Sequence, residues 1–259
     1  MIKTINAWIH QHRFLYANLR ALKYKIWSLP VLGSIIPDPM ELPQMETIGR
    51  HISAETPTRT TGGPRILFFT LRGWSIQVGW DAVLAAALRL RGADVQFFTC
   101  GKGFPLCDIA SCSVSPPMPC AFCANYVERA LSAWQFPIKY LRDFISSEEV
   151  TALTKQVEVL DYEQYEQFVA DNIPVGQLVK TSVRWFLSSG TIGDDDLSQR
   201  SYKHFLISGA MMVRVGRRLL DAVQPDKLYL LNGLFFAERI MLELAREKAI
   251  PVVTHEVGF

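Results

Sequence analysis

The stretch Arg65-Ile-Leu-Phe-Phe-Thr70, the turn Leu71-Arg-Gly-Trp-Ser75, the run Gln77–Arg91 and the segment Asp94-Val-Gln-Phe-Phe-Thr99 together decide the fold. RILFFT is short, has a wholly apolar interior and follows Gly-Gly-Pro, as a strand buried on both faces does. In the following run Val78, Ala82, Ala85 and Leu88 share one helical face, with Val83 and Leu84 near it, and Gly92 ends the helix as a C′ residue. DVQFFT is a second apolar strand. Strand, helix and buried strand predict a right-handed βαβ unit with a parallel pair.

A second such unit closes the chain. Asp226–Leu231 reads as a strand, Asn232-Gly233 as its turn, Phe235–Lys248 as a helix and Pro251–Thr254 as the next strand, with His255-Glu-Val-Gly258 at its carboxyl end. The predicted class is α/β, a Rossmann-like parallel sheet. Ligands of open parallel sheets bind outside the carboxyl ends of the strands, so Arg72–Ser75, Asn232–Gly233 and His255–Gly258 form the expected chemical edge. Neither G-x-G-x-x-G nor G-x-x-x-x-G-K-[ST] occurs, which disfavours a dinucleotide or P-loop site. Gly73 would still permit a close backbone approach to an anion at a helix start.

Composition sets the outer bounds. The 259 residues include 27 basic and 25 acidic ones, 49% apolar and 20% charged, which excludes wholesale disorder. A net charge of +2 gives no general reason to expect nucleic acid. That balance is uneven. The first 37 residues hold Lys3, Arg13, Arg20, Lys23 and Lys25 and no acid, hence +5, leaving 22 basic against 25 acidic residues beyond them.

Residues 1–29 read as a basic amphipathic helix with Ile2, Ile5, Trp8, Ile9, Tyr16, Leu19, Leu22 and Ile26 on its stripe, ended by Pro30 and Pro37. Such a helix either lies on an anionic membrane surface or docks on protein. No secretory signal and no bilayer-spanning run is expected. Five prolines in 37–64 suggest a linker, so the expected domains are 1–63 (arm and linker) and 64–259 (Rossmann-like domain). Within the latter, about 124–222 reads as a helical insertion. The acids of Ser146–Asp171 suggest a solvated face, or more weakly a basic partner, and Arg214, Arg217 and Arg218 suit the end of a helix.

All five cysteines fall within 100–123. Cys107, Cys112, Cys120 and Cys123 read C-x4-C-x7-C-x2-C, a set able to surround one tetrahedral ion. Structural Zn²⁺ is the first expectation and an iron–sulfur cluster the second. Unliganded thiols and disulfides are the alternatives, and Cys100 is the spare thiol.

Three runs then carry a resemblance. They are Phe68-Phe-Thr-Leu-Arg-Gly-Trp…Asp81-Ala-Val-Leu…Arg89-Leu-Arg-Gly-Ala-Asp-Val, Cys107…Pro116-Pro-Met-Pro-Cys-Ala-Phe-Cys, and Asn232-Gly-Leu-Phe-Phe-Ala-Glu-Arg…Ile250-Pro-Val-Val-Thr-His-Glu-Val-Gly. Over residues 64–259 the chain resembles the amino-terminal half of bacterial GT-B glycosyltransferases of the capsule or surface-polysaccharide type. The resemblance implies an acceptor-binding domain for a sugar or lipid-linked acceptor, with a carboxyl-terminal donor-binding half absent from this chain. It implies Glu256 as acid/base, or His255 in its place, and Arg72, Gly73, Asn232 and Gly233 as acceptor-binding residues. The implied location is the cytoplasm, peripheral at the inner membrane face. Two other readings stand beside it: a noncatalytic, zinc-stabilised Rossmann-like binding or scaffold protein, and a Rossmann-like hydrolase or epimerase of sugar nucleotides.

Overall fold

The structure, a computed structural model, describes residues 42–55, 62–113 and 119–256. The predicted arm, 1–29, lies outside the described residues. Five strands form one parallel sheet: β1 (Arg65–Phe69), β2 (Asp94–Thr99), β3 (Ile138–Tyr140), β4 (Lys227–Leu231) and β5 (Val252–His255). Their order is β3-β2-β1-β4-β5. The chain therefore winds outward from the centre in both directions, and β1 and β4 meet where that direction reverses.

Alternation along β1 supplies two cores. Leu67 and Phe69, with Leu71 beyond the strand, pack on one face, and Ile66 and Phe68 on the other. β2 does the same, with Phe98 on the first face and Val95 and Phe97 on the second. Every β1 side chain from Ile66 to Phe69 is buried, which explains the lack of polar alternation in the sequence.

Helix α2 (Ser75–Leu90) joins β1 to β2 and buries Val78, Ala82, Ala85 and Ala86 against the second face. Val83, expected near that inward side, is half exposed. Helix α3 (Cys120–Ala133) lies on the same face and leads to β3. The helical insertion therefore starts after β3, later than the predicted residue 124. A three-residue strand leaves no periodicity to read. The segment expected to be a linker also contains a helix, α1 (Leu42–Glu55). Pro43 sits in its first turn, where a missing N–H breaks no helical bond. Gly49 lies against the indole of buried Trp134, Arg129 Nε donates to Glu46 at 2.7 Å, and Ser53 donates to the Ala133 carbonyl at 3.3 Å. Tertiary packing on the end of α3 overrides the proline-rich composition.

The opposite face carries the insertion. A 3-10 turn (Leu141–Asp143) leads to α4 (Ser147–Glu158), α5 (Tyr162–Tyr165), α6 (Val175–Leu178), α7 (Lys180–Leu187) and α8 (Asp196–Val223). Asp195 caps α8 by accepting from the Leu197 and Ser198 amides. Helix α9 (Phe236–Glu247) joins β4 to β5 and packs Phe236, Ile240, Met241 and Leu244 on this face. Placing α2 and α9 on opposite faces follows from right-handed crossovers running outward in two directions. The stretch read as solvated is largely exposed, yet Glu149 in it has a fixed partner. Glu149 binds Arg218 through both oxygens at 2.6 and 2.9 Å, and this holds its carboxyl down to about 2. Arg217 pairs with Glu247. These arginines pin α8 to its neighbours as well as suiting the end of a helix.

Candidate functional site

The turn after β1 is filled from inside. Arg72 is 1% exposed. Its guanidinium grips Glu238 of α9 through both arms at 2.6 and 2.8 Å and Asp108 at 2.7 Å. The rings of Trp74 and Phe235 lie 5.0 and 5.2 Å from the guanidinium carbon. Burial opposes the Arg72 charge, and the two carboxylates more than offset it, holding the group above its ordinary value. Burial raises Glu238, and Arg72 offsets this only partly, because one cation stands between two acids in a dry site. Arg72, expected on the cleft edge to bind acceptor, is thus enclosed and committed to two carboxylates.

Gly73 also has its approach taken. A Cβ there would lie 2.8 Å from the Cys123 carbonyl oxygen, and its N–H donates to Cys123 Sγ at 3.1 Å. The close approach that glycine permits is to α3, and the N–H expected to face an anion faces a thiol.

The turn after β4 is open. Asn232 donates its Nδ2 to Glu256 at 2.6 Å, accepts from the Leu234 amide at 3.0 Å, and its backbone N–H donates to the His255 carbonyl at 2.8 Å. Gly233 has φ +78° and packs under Leu242, a conformation that suits glycine. Glu256 is exposed. His255 is the last residue of β5 rather than the first beyond it. Its ring stacks on Tyr229 at 4.9 Å and 13°. Nε2 lies 3.2 Å from Asp81 Oδ1 without hydrogen-bond alignment. Asp81 is buried on α2 and accepts from the Thr70 hydroxyl at 2.6 Å. Sequence reasoning passed over Asp81 as a site residue. Its signal was a single acid on the inward face of an apolar helix. His255 thus sits beside a buried carboxylate, while Glu256 is held by Asn232.

Beside the β1 turn lies an open pocket of about 820 Å³. Trp74 and Trp185 contribute indoles, Thr181, Ser188 and Ser189 hydroxyls, and Arg184 a cation. Trp185 Nε1 donates to the Asp108 carbonyl at 3.0 Å, and both indoles pack on Phe235. The pocket is therefore joined to the buried Arg72 cluster through Asp108. None of its α7 residues was expected, because an exposed Trp on a short helix resembles a surface residue until the loops around it are placed.

None of the five cysteines is joined in a disulfide. Cys100, Cys107, Cys120 and Cys123 line one small cavity with Arg72, Lys102 and Phe104. Cys112 is not in that wall, and its backbone N–H donates to the Phe186 carbonyl. The expected set of Cys107, Cys112, Cys120 and Cys123 therefore does not share the cavity. Among the described residues, no three His, Cys, Asp or Glu side chains are placed to hold one metal ion. Burial pushes Cys120 up to about 11 and Cys123 up to about 12, with charge repulsion from Cys100 adding to both. Among the described residues no helix is long and apolar enough to cross a membrane. No protein-family model, curated protein or solved structure matches the chain.

Proposed function

We propose that this chain is the acceptor-binding, Rossmann-like half of a GT-B sugar transferase acting in surface-polysaccharide synthesis. The observation that carries the reading is the open pocket at the carboxyl edge, with two indoles among hydroxyls and an arginine. Sugar rings present C–H faces that stack on indoles and hydroxyls that pair with Ser, Thr and Arg, so a sugar or the sugar end of a lipid-linked acceptor fits that lining. His255, backed by Asp81, is the base for the acceptor hydroxyl; Asn232 and Glu256 lie beside it on the same edge. The donor nucleotide belongs to a second half, consistent with the lack of a phosphate-cradling glycine motif. The basic arm 1–29 would bring the domain to an anionic membrane face from the cytoplasm.

Titration of the chain with oligosaccharides and, separately, with UDP- and CDP-sugars tests this reading. Saturable glycan binding that Trp185→Ala weakens by about tenfold or more is expected. Nucleotide sugars should bind no better than nucleotide alone. Absence of glycan binding, or tight binding of a nucleotide sugar, would overturn it.

One observation favours a noncatalytic binding or scaffold protein instead. The β1 turn, where many doubly wound proteins hold a ligand phosphate, is occupied by Arg72 and Cys123. Glycan binding that is unchanged by Trp185→Ala and by His255→Ala would support that second reading.

A further inference from the structure

We propose that Cys100, Cys107, Cys120 and Cys123 are a four-thiolate site for a thiophilic metal centre, a zinc ion or an iron–sulfur cluster, and that Cys112 is not a ligand. Four of the chain's five cysteines reach one cavity of about 10 Å³ from three separate segments. Cys100 comes from the residue after β2, Cys107 from the loop beyond it, and Cys120 and Cys123 from the first turn of α3. Convergence from three segments is not a consequence of sequence spacing, which pointed to Cys112. Cys100, Cys107 and Cys123 are 8%, 4% and 5% exposed, so three of the four thiols are withdrawn from solvent. The Gly73 N–H donates to Cys123 Sγ, the kind of outer contact that orients a sulfur ligand. Lys102 stands in the same wall and offsets part of the charge of a tetrathiolate, while Arg72, also there, is already paired with Asp108 and Glu238.

The four cysteines share the cavity wall without closing on a point, since no three are placed to hold one ion. A zinc ion would draw them inward, whereas a cluster would span them; both use the same four thiolates. The centre would lock the β1 turn to α3 through Gly73. This inference is independent of the sugar-transfer reading.

The test is metal analysis of the whole chain purified without oxygen, with acid-labile sulfide, visible spectra and a count of sulfur neighbours by X-ray absorption. About one zinc per chain without colour, or iron with matching sulfide and a brown chromophore, is expected. For zinc the count should show four protein sulfurs in both the wild type and Cys112→Ser, and for a cluster the iron and sulfide contents of the two should be equal. Cys100→Ser should lose metal affinity by roughly tenfold or more. Wild type that stays metal-free after anaerobic incubation with zinc, and with iron plus sulfide, overturns the proposal. So does Cys112→Ser with three protein sulfurs on zinc, or with less iron and sulfide than the wild type. Should Cys100→Ser fail to fold, the same measurements on Cys112→Ser still decide the ligand set.

Discussion

Two turns leave the carboxyl edge of one sheet, Leu71–Ser75 after β1 and Asn232–Leu234 after β4, and their polar residues meet opposite surroundings. Arg72 is sealed between Asp108, Glu238 and two aromatic rings. Asn232 is only partly buried and bridges backbone and Glu256. The first turn is closed over by the loop after β2 and by α9, whereas the second packs its glycine under Leu242 of α9 and holds its asparagine against the end of β5. Polar residues at a strand end thus become buried struts or partly solvated contacts according to what covers them. In the covered turn every contact is desolvated and costly to break. In the open one contacts exchange with water.

The largest expected effect lies in the covered turn. Arg72→Met leaves Asp108 and Glu238 buried without their cation and should cost about 3–5 kcal/mol in urea unfolding, whereas Asn232→Ala should cost about 1 kcal/mol or less. Similar costs at the two turns would erase the contrast. Gly73→Ala comes next. Its Cβ would press on the backbone of Cys123, so a loss of about 1–3 kcal/mol is expected. Gly233→Ala meets a leucine side chain that can turn away and should lose only the left-handed backbone preference, about 1–2 kcal/mol. Equal-to-wild-type melting of Gly73→Ala would mean that α3 does not sit tightly on the turn.

A smaller effect concerns the surplus acid. Because burial raises Glu238 above its unfolded value, folding favours its protonated form. Its contribution is therefore present below the unfolded value and is lost as pH rises through the folded one. Glu238→Gln keeps the shape, leaves Asp108 as the counter-ion and removes that loss. Urea midpoints measured across the pH range should show the variant gaining on the wild type as pH rises. Parallel curves would show that Glu238 is not the carboxylate that bears the surplus.

The sequence made much of the frame legible. Apolar runs at 65–70 and 94–99, the helix between them and the second unit at 226–254 each occur within a residue or two of the expected bounds. These elements are local: an apolar run bounded by glycine and proline admits few alternatives. Strand β3 and helix α1 were not legible, the first because three residues carry no period and the second because its stability comes from Trp134 and Arg129, far along the chain. In the candidate site, Asn232, His255 and Glu256 do gather at one edge. Asp81, Asp108, Glu238 and Trp185 were missed because each reads as an ordinary helix or loop residue until its partner from another segment is placed.

The parallel direction within the two βαβ units and the position of the carboxyl edge thus followed from periodicity and from the right-handed rule, which are properties of neighbouring residues, whereas the full strand order came only with the structure. Tertiary structure alone decided which residues at that edge meet water. It enclosed Arg72, left Asn232 partly exposed, and brought Cys100 rather than Cys112 to the other thiols. Burial depends on segments distant in sequence closing over a turn, and no local pattern encodes which of them will arrive.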